Sequence, residues 1–520
     1  MRLTEVVAVS RGVGAASGRL DKIGRLADLL GRVPPGELDI IVAFLSGGVR
    51  QGRIGVGRAQ LSAAMRDVPS APAPELEIAD VDRAFDRLAA ASGAGSAGVR
   101  TQLLRGLFSR ATREEQDFLV RLLFGELRQG ALEGVLVEAV ARAAGVPAAR
   151  IRRASMLAGD LAPVAHAAIV DKDTELSQFL LRPFQPIQPM LAESASGVDE
   201  ALATFEGETS FEYKLDGARI QVHKIDDEVR VYSRTLRDVT IAVPEVVTAV
   251  RAMPAREIVL DGEAIALRPD GTPRPFQETM RRFGRKLDDD ALRADIPITP
   301  MFFDVLHVDG EPLIDEPLAR RVAMLSERVT AANVVPRLVT SSGEAAAAFA
   351  AKALATGHEG VMAKSVDGLY AAGRRGAAWL KVKQARTLDL VILAVEWGSG
   401  RRQGTLSNLH LGARDTERGG FVMLGKTFKG LTDAMLAWQT KKFLELEIGR
   451  DQWTVFVRPE VVAEIAFNEI QASSQYPGGL ALRFARVKRY REDKQAADAD
   501  TFATLQAIYQ QMTGLPAPPR

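Results

Sequence analysis

The residues with the most chemical promise begin at Phe211, in the stretch FEYKLDGARIQVHK. Lys214 sits there inside an otherwise strand-like run, two residues before the pair Asp216-Gly217. Such a lysine is either a surface cation at the mouth of a turn or a nucleophile. The amine attacks only after its ammonium has lost a proton, and neighbouring cations together with desolvation lower its pKa in that direction. In chain order there follow Arg234 in YSRTLRD, Glu263 in LDGEAIAL, Phe303 in FFDVLHVDG, Glu359 and Lys364 in EGVMAKS, and Arg375, Lys381 and Lys383 in RRGAAWLKVK. Charges thus interrupt strand after strand. Buried strands tolerate that pattern when an anionic or metal-bound ligand pairs the charges. Lys and Arg suit a polyphosphate, acidic residues suit a hydrated divalent cation such as Mg2+, and an aromatic suits stacking on a base. Gly217 is expected to let the backbone turn tightly and approach the ligand. Attack on an α-phosphorus would leave a lysine-linked nucleotide and release pyrophosphate.

The elements that must hold these groups change character along the chain. To about residue 185 the apolar spacing is three and four, as in GRLDKIGRLADLL and EEQDFLVRLLFGELR, which predicts helices. Thr112 with Glu115 predicts a capping box at one helix start. Basic residues recur at turns and ends in GGVRQGRIGVGR and ARIRRAS, and each taken singly reads as a solvated face. Three prolines between Pro183 and Pro189 predict an extended linker. Beyond it the period becomes two. ARIQVHK and VRVYSR flank an acidic turn as a hairpin would, and further strand-like runs alternate with helices up to about residue 388. Short strands from LDLVILAVEWG to TVFVRPEVVAEIAFNEI then predict a small barrel, followed by a last helix in ADADTFATLQAIYQQM. The expected units are 1–185, all-α; 186–388, α+β; and 389–520, a barrel with a C-terminal helix.

Composition narrows the function classes. A 520-residue chain is too long for one core. Lys plus Arg at 67 against Asp plus Glu at 66 gives a net charge of +1, so a nucleic-acid surface would have to be a local patch. With no cysteine, disulfides, thiolate nucleophiles and zinc-thiolate modules are excluded. No apolar run is long enough to span a bilayer, and the expected location is the cytoplasm. The segment GGFVMLGKT has P-loop spacing through Gly420, Gly425, Lys426 and Thr427, but Phe-Val-Met-Leu reads as an apolar strand and cannot cradle phosphate. The histidines at 166, 223, 307, 358 and 410 are scattered and make no ligand pair.

The order of PMLA, EYKLDGARIQVHK, DGEAIA, EGVMAK, WLKVK and the terminal REDK resembles the covalent nucleotidyltransferase superfamily. Within it the chain looks like the ATP-dependent DNA ligases that carry an N-terminal helical DNA-binding domain. The resemblance is strongest over 187–494, with weaker signatures in GRIGVGRAQL and LAGDLAPVA. It implies a helical DNA-binding domain, an α+β adenylation (nucleotidyltransferase) domain and a C-terminal OB-fold β-barrel. It makes Lys214 the adenylated nucleophile, places Glu212 at the adenine edge, Arg219 and Glu263 near the ribose, and Phe303 against the adenine face. Arg234, Arg375 and Lys381 fall around phosphates, with Lys364 and Lys383 in the same nucleotide site. Glu263 and Glu359 become the acidic partners of Mg2+, Mn2+ being equally suited to oxygen ligands. Arg483, Arg486, Arg491, Asp493 and Lys494 match the motif that swings over ATP, although Ala485 stands where the family often has proline. The implied partner is nicked duplex DNA, bound by a monomer that a sliding clamp or polymerase could recruit, with a hinge near Lys383 to Asp389. RNA ligases and capping-type guanylyltransferases use the same lysine chemistry, and a non-catalytic DNA-binding protein could keep the same fold. Neither transferase explains the long helical segment.

Overall fold

In a computed structural model the chain is described over residues 1–52, 54–93, 95–127, 133–283, 294–371, 375–383, 386–399 and 402–518, the side chains of 133, 173–175 and 375–377 excepted. Gln384 and Ala385, inside the expected hinge, lie outside the described residues.

From Leu3 to Ile169 the described elements are helices, and their apolar stripes meet in one core that runs from Leu3 to Leu176. In Arg19–Leu30 the buried residues are Ile23, Leu26, Ala27, Leu29 and Leu30, the spacing that marks one helical face. The expected capping box forms: Thr112 Oγ1 accepts the Glu115 N–H at 3.4 Å, and the Glu115 carboxylate accepts the Thr112 N–H at 2.8 Å. Two of the basic side chains expected on a solvated face are half-exposed there and also paired. Arg50 spans Asp82 and Asp86, and Arg153 grips Asp315 through both oxygens at 2.5 and 2.6 Å, joining the helical part to the sheets.

The proline-rich stretch is not extended throughout: it turns at Phe184, with φ 66° and the Gln185 N–H on the Arg182 carbonyl at 3.1 Å, and it is no loose connector. Its free N–H groups are taken by side chains of the neighbouring sheet. Phe184 N–H donates to His223 Nδ1 at 2.9 Å, Ile187 N–H to Gln221 Oε1 at 2.8 Å, and Met190 N–H to the Tyr370 hydroxyl at 3.1 Å. A segment that cannot form its own ladder must satisfy its backbone elsewhere, and here that requirement straps it across the site's floor.

Two five-stranded sheets follow. One runs in the order Leu191–Ala195, Arg375–Lys383, Gly360–Ser365, Thr209–Tyr213, Arg337–Thr340. The other runs Glu228–Ser233, Ala218–Ile225, Glu257–Ala266, Ile298–Val308, Glu311–Pro312. The expected hairpin is present, with Ile225 opposite Glu228. Between the sheets' outer helices and strands lies a fully buried ion pair: Arg321 Nε and Nη2 donate to the two oxygens of Asp304 at 2.8 and 3.0 Å.

Seven of the described C-terminal strands form one branched sheet, while Glu469–Ala472 and Leu480–Arg483 pair as a separate two-stranded one. Arg386–Trp397 pairs Leu406–Arg414 along one edge, and along the other it pairs Val462–Phe467 and then Thr454–Val457. Phe421–Thr427 is a strand, so the P-loop spacing does not form a loop there. The expected barrel is not closed among the described residues. Between Phe421–Thr427 and Arg486–Tyr490 no ladder forms. The ends are drawn together by the Val487 N–H to the Lys429 carbonyl at 2.9 Å and by Thr427 Oγ1 to the Ala485 carbonyl at 2.6 Å. At Ala485 the chain is between strands, and the preceding Phe484 has φ 56°.

Candidate active site

Lys214 stands just past the end of Thr209–Tyr213 rather than within a strand. Its backbone fixes it twice: its N–H donates to the Gly360 carbonyl at 2.9 Å, and its carbonyl accepts the Glu359 N–H at 3.1 Å. These two bonds put the lysine against Glu359, and the side chains form an ion pair. Lys383 Nζ reaches the same carboxylate at 2.7 Å. Gly217 lies in the cavity lining and is closely packed against the neighbouring strand. A Cβ there would lie 2.4 Å from the Ala264 carbonyl and 2.9 Å from Glu263 Cγ. Gly217→Val is therefore expected to push Glu263 away from Lys214 and cut labelling of the lysine by ATP at least about 100-fold, read by denaturing electrophoresis.

The cavity around Lys214 measures about 800 Å³, enough for a nucleotide. Glu212, Arg219, Arg234 and Glu263 line it, as do Phe303, Glu359 and Lys364. Lys381 and Lys383 complete one wall, and Arg483 and Phe484 enter from the C-terminal sheet. The expected set thus converges from several strands separated by up to hundreds of residues. Not every member is placed there. Arg375 has its side chain outside the described part. Arg491 and Lys494 do not line the cavity and instead share Asp389, at 2.8 and 2.6 Å.

Arg219 lines the cavity yet is tied down, with Nε and Nη2 on Asp261 at 3.0 and 2.6 Å and Nη1 on the Met190 carbonyl at 2.6 Å. Tyr370 donates to the same Asp261 at 2.7 Å, so arginine, carboxylate and the strapped linker form one buried unit. Phe303 and Trp379 meet edge to face at 5.8 Å, and Lys364 Nζ lies 4.5 and 4.2 Å from their ring centroids. Sequence reasoning missed Trp379, Asp216, Met362 and Arg337 as parts of the site. A signal for Trp379 existed: alternation in AAWLKVK places it on one strand face with Lys381 and Lys383.

The charge state of Lys214 corrects the expectation. Burial pushes its pKa down, but Glu359, Glu263 and Asp216 together push it further up, so the ammonium is held above its ordinary value. Lys383 is a close cationic neighbour, but the three carboxylates outweigh it. Burial raises Asp216 to about 6, with Glu359 adding to it against Arg483. Burial likewise raises Glu263 to about 7 despite Lys214 and Arg219. Glu359 moves the other way, since Lys214 and Lys383 outweigh its desolvation. Lys383 falls below its usual value through burial and the repulsion of Lys214. Arg483 reaches Asp216 at 3.2 Å and Glu469 at 2.8 Å, bridging the C-terminal sheet to the lysine loop.

Among the described residues no group of three His, Cys, Asp or Glu is placed to hold a metal by itself. A cation that uses one or two carboxylates and fills its remaining positions with phosphate oxygens and water needs no such group. Glu263 and Glu359 are carboxylates of that kind in the cavity lining and would be the residues to hold such a cation, whose charge would offset the cost of keeping buried Glu263 ionised.

A lysine ringed by carboxylates, a buried aromatic wall and a row of cations define a nucleotide-consuming group-transfer site. Three family profiles match the chain: the ATP dependent DNA ligase domain over 189–383, the ATP dependent DNA ligase C terminal region over 402–494, and the DNA ligase N terminus over 58–141. A probable DNA ligase of Anaeromyxobacter sp. (strain Fw109-5) is 61% identical over 510 residues, covering 98% of each chain. Another, of Mycolicibacterium gilvum (strain PYR-GCK), is 55% identical over 513 residues, 98% of this chain and 99% of its own. A solved structure named Pmar-Lig_PreS3 shares the fold with a TM-score of 0.60 at 18% identity, over 94% of this chain and 99% of that one. The chain belongs to the ATP-dependent DNA ligases, and sealing nicks in DNA is the general reaction of that family. Among the described residues no helix is long and apolar enough to cross a membrane.

Proposed function

We propose that Lys214 is the residue that carries AMP. Its neutral amine attacks the α-phosphorus of ATP, a P–N bond forms, the bond to pyrophosphate breaks, and the proton leaves the lysine beforehand. The AMP then passes to the 5'-phosphate of a nick in duplex DNA, and the adjacent 3'-hydroxyl displaces AMP to form the phosphodiester. The observation that carries this reading is the placement of Lys214 against Glu359, with Glu263 close enough to act on its charge, in the lining of a cavity that also holds Lys381 and Lys383.

In this reading Glu212 meets the adenine edge and Phe303 its face, while Arg219 and Glu263 border the ribose. Arg234, Arg375, Lys381, Lys364 and Lys383 bind or orient the nucleotide, and fixed cations offset charge that accumulates on phosphoryl oxygens. Glu263 and Glu359 hold Mg2+ or Mn2+, which when bound supplies Lewis-acid neutralisation of the phosphates. Arg491 and Lys494 reach the cavity only if the C-terminal unit turns about the segment 383–389, in a closing motion of the kind that gates many transferases. The units are 1–185 for gripping DNA, 186–388 for adenylation, and 389–520 as the OB-fold with its helix. The strand Arg386–Trp397 straddles the last boundary, and its ladder partners all lie in the third unit. The enzyme acts as a cytoplasmic monomer, recruited by a sliding clamp or polymerase.

The test is sealing of a labelled nick with ATP and Mg2+, comparing all-DNA with all-RNA duplexes. DNA is expected to be sealed and RNA not, and preference for RNA would overturn the assignment. Binding of nicked DNA should fall roughly 1000-fold between about 50 and about 200 mM salt, since several phosphates must be neutralised locally.

A further inference from the structure

At the base end of the cavity Glu212 is buried, yet both of its oxygens are engaged. Oε1 accepts from Arg337 Nε at 2.9 Å and from Nη2 at 2.7 Å. Oε2 is ion-paired with Lys364 Nζ at 2.6 Å. Arg337 stands directly across the ladder from Glu212, its Nη2 also reaches the Phe303 carbonyl at 3.1 Å, and it is not part of the cavity lining. It therefore fixes the carboxylate and the aromatic wall together without touching the space a base would fill.

Each carboxylate oxygen has two lone pairs. Two arginine N–H groups saturate Oε1, whereas Oε2 keeps one pair free. The purines differ in what they ask of such a group. Adenine presents a single donor, N6–H, beside the acceptor N1. Guanine presents N1–H and N2–H side by side, which a carboxylate satisfies by using both oxygens at once. We propose that Arg337 is a positioning residue for base selection: by filling Oε1 of Glu212 it leaves a one-point acceptor that suits adenine and removes the two-point acceptor that guanine needs. The proposal rests on the reading that Glu212 meets the purine edge.

The test uses the full chain as wild type, Arg337→Met, Arg337→Lys and Glu212→Gln, with Mg2+ and either ATP or GTP labelled at the α-phosphate. Single-turnover labelling of Lys214 is followed against nucleotide concentration, and a thermal melt is recorded for each variant. In Arg337→Met the preference for ATP over GTP is expected to fall at least about tenfold, through half-saturation more than through the maximal rate. Arg337→Lys keeps the charge but supplies one donor where arginine supplies two, so one pair on Oε1 is freed and an intermediate preference is expected. A wild-type preference in both variants overturns the proposal. If Arg337→Met does not fold, a wild-type preference in Arg337→Lys overturns it alone. Unchanged behaviour toward both nucleotides in Glu212→Gln would instead overturn the reading of Glu212 itself. A shift there without any at Arg337 removes only the role of Arg337.

Discussion

Replacing Lys214 by alanine should abolish transfer of label from ATP to the protein at every pH, while the wild-type single-turnover rate should climb with pH. The sign follows from the site. The attacking species is the neutral amine, and Glu359, Glu263 and Asp216 hold the pKa above its ordinary value in spite of burial. At neutral pH the neutral fraction is therefore small, and the rate should rise about tenfold per pH unit until the pKa is approached. Glu359→Gln removes the carboxylate that raises Lys214 most, so its profile should move to lower pH even as its maximal rate drops. A wild-type rate flat between pH 6 and 9, each about the limit of ordinary buffers, would mean that proton loss from Lys214 does not govern the step. The alanine variant separates the explanations, since residual label on it would place the nucleophile elsewhere.

The second large effect is on stability. Arg321→Met should destabilise the two-sheet region by about 3–5 kcal/mol, because it strands a buried carboxylate without its partner. Both side chains of the pair have 0% exposure, so in the intact fold solvent does not reach the carboxylate. Arg321 also donates Nη1 to the Glu316 and Gly368 carbonyls at 2.5 and 3.1 Å, and these would lose a partner too. Urea unfolding followed by tryptophan fluorescence would measure the loss, with Trp379 reporting from the same region. Adding Asp304→Leu to Arg321→Met should recover part of the stability, since well-packed apolar pairs often match buried ion pairs. A loss below about 1 kcal/mol would show that the site relaxes enough to admit solvent. The consequence reaches function, because Asp304 follows Phe303 on the strand that forms the aromatic wall.

Much of the fold was legible because local periodicity is local physics. The helix Arg19–Leu30, the capping box at Thr112 and the hairpin at Ile225 and Glu228 depend on residues a few positions apart, and each appears where spacing puts it. The candidate site was legible for a related reason: Glu263, Lys364, Lys381 and Lys383 are charged residues on strands, and a buried strand retains such charges only when something pairs them. The rejected P-loop shows the same logic, since four apolar residues between Gly420 and Gly425 settled the matter as a strand.

What the sequence by itself determined is the family, the kind of chemistry that goes with it and the periodicity of the elements beneath the candidate site. Only the tertiary structure decided the charge environment of Lys214, because Glu263 on the strand Glu257–Ala266 and Glu359 in the loop before Gly360–Ser365 are brought to it by no local pattern. It alone tied Arg219 to Asp261 and the linker carbonyl, set Arg337 against Glu212, and left the C-terminal sheet open. Spacing reports which face a residue takes, while pairings across more than a hundred residues, such as Arg337 with Glu212, depend on how strands order within a sheet. That order is fixed by packing of the whole core, and it is there that a lysine expected among cations comes to rest among acids.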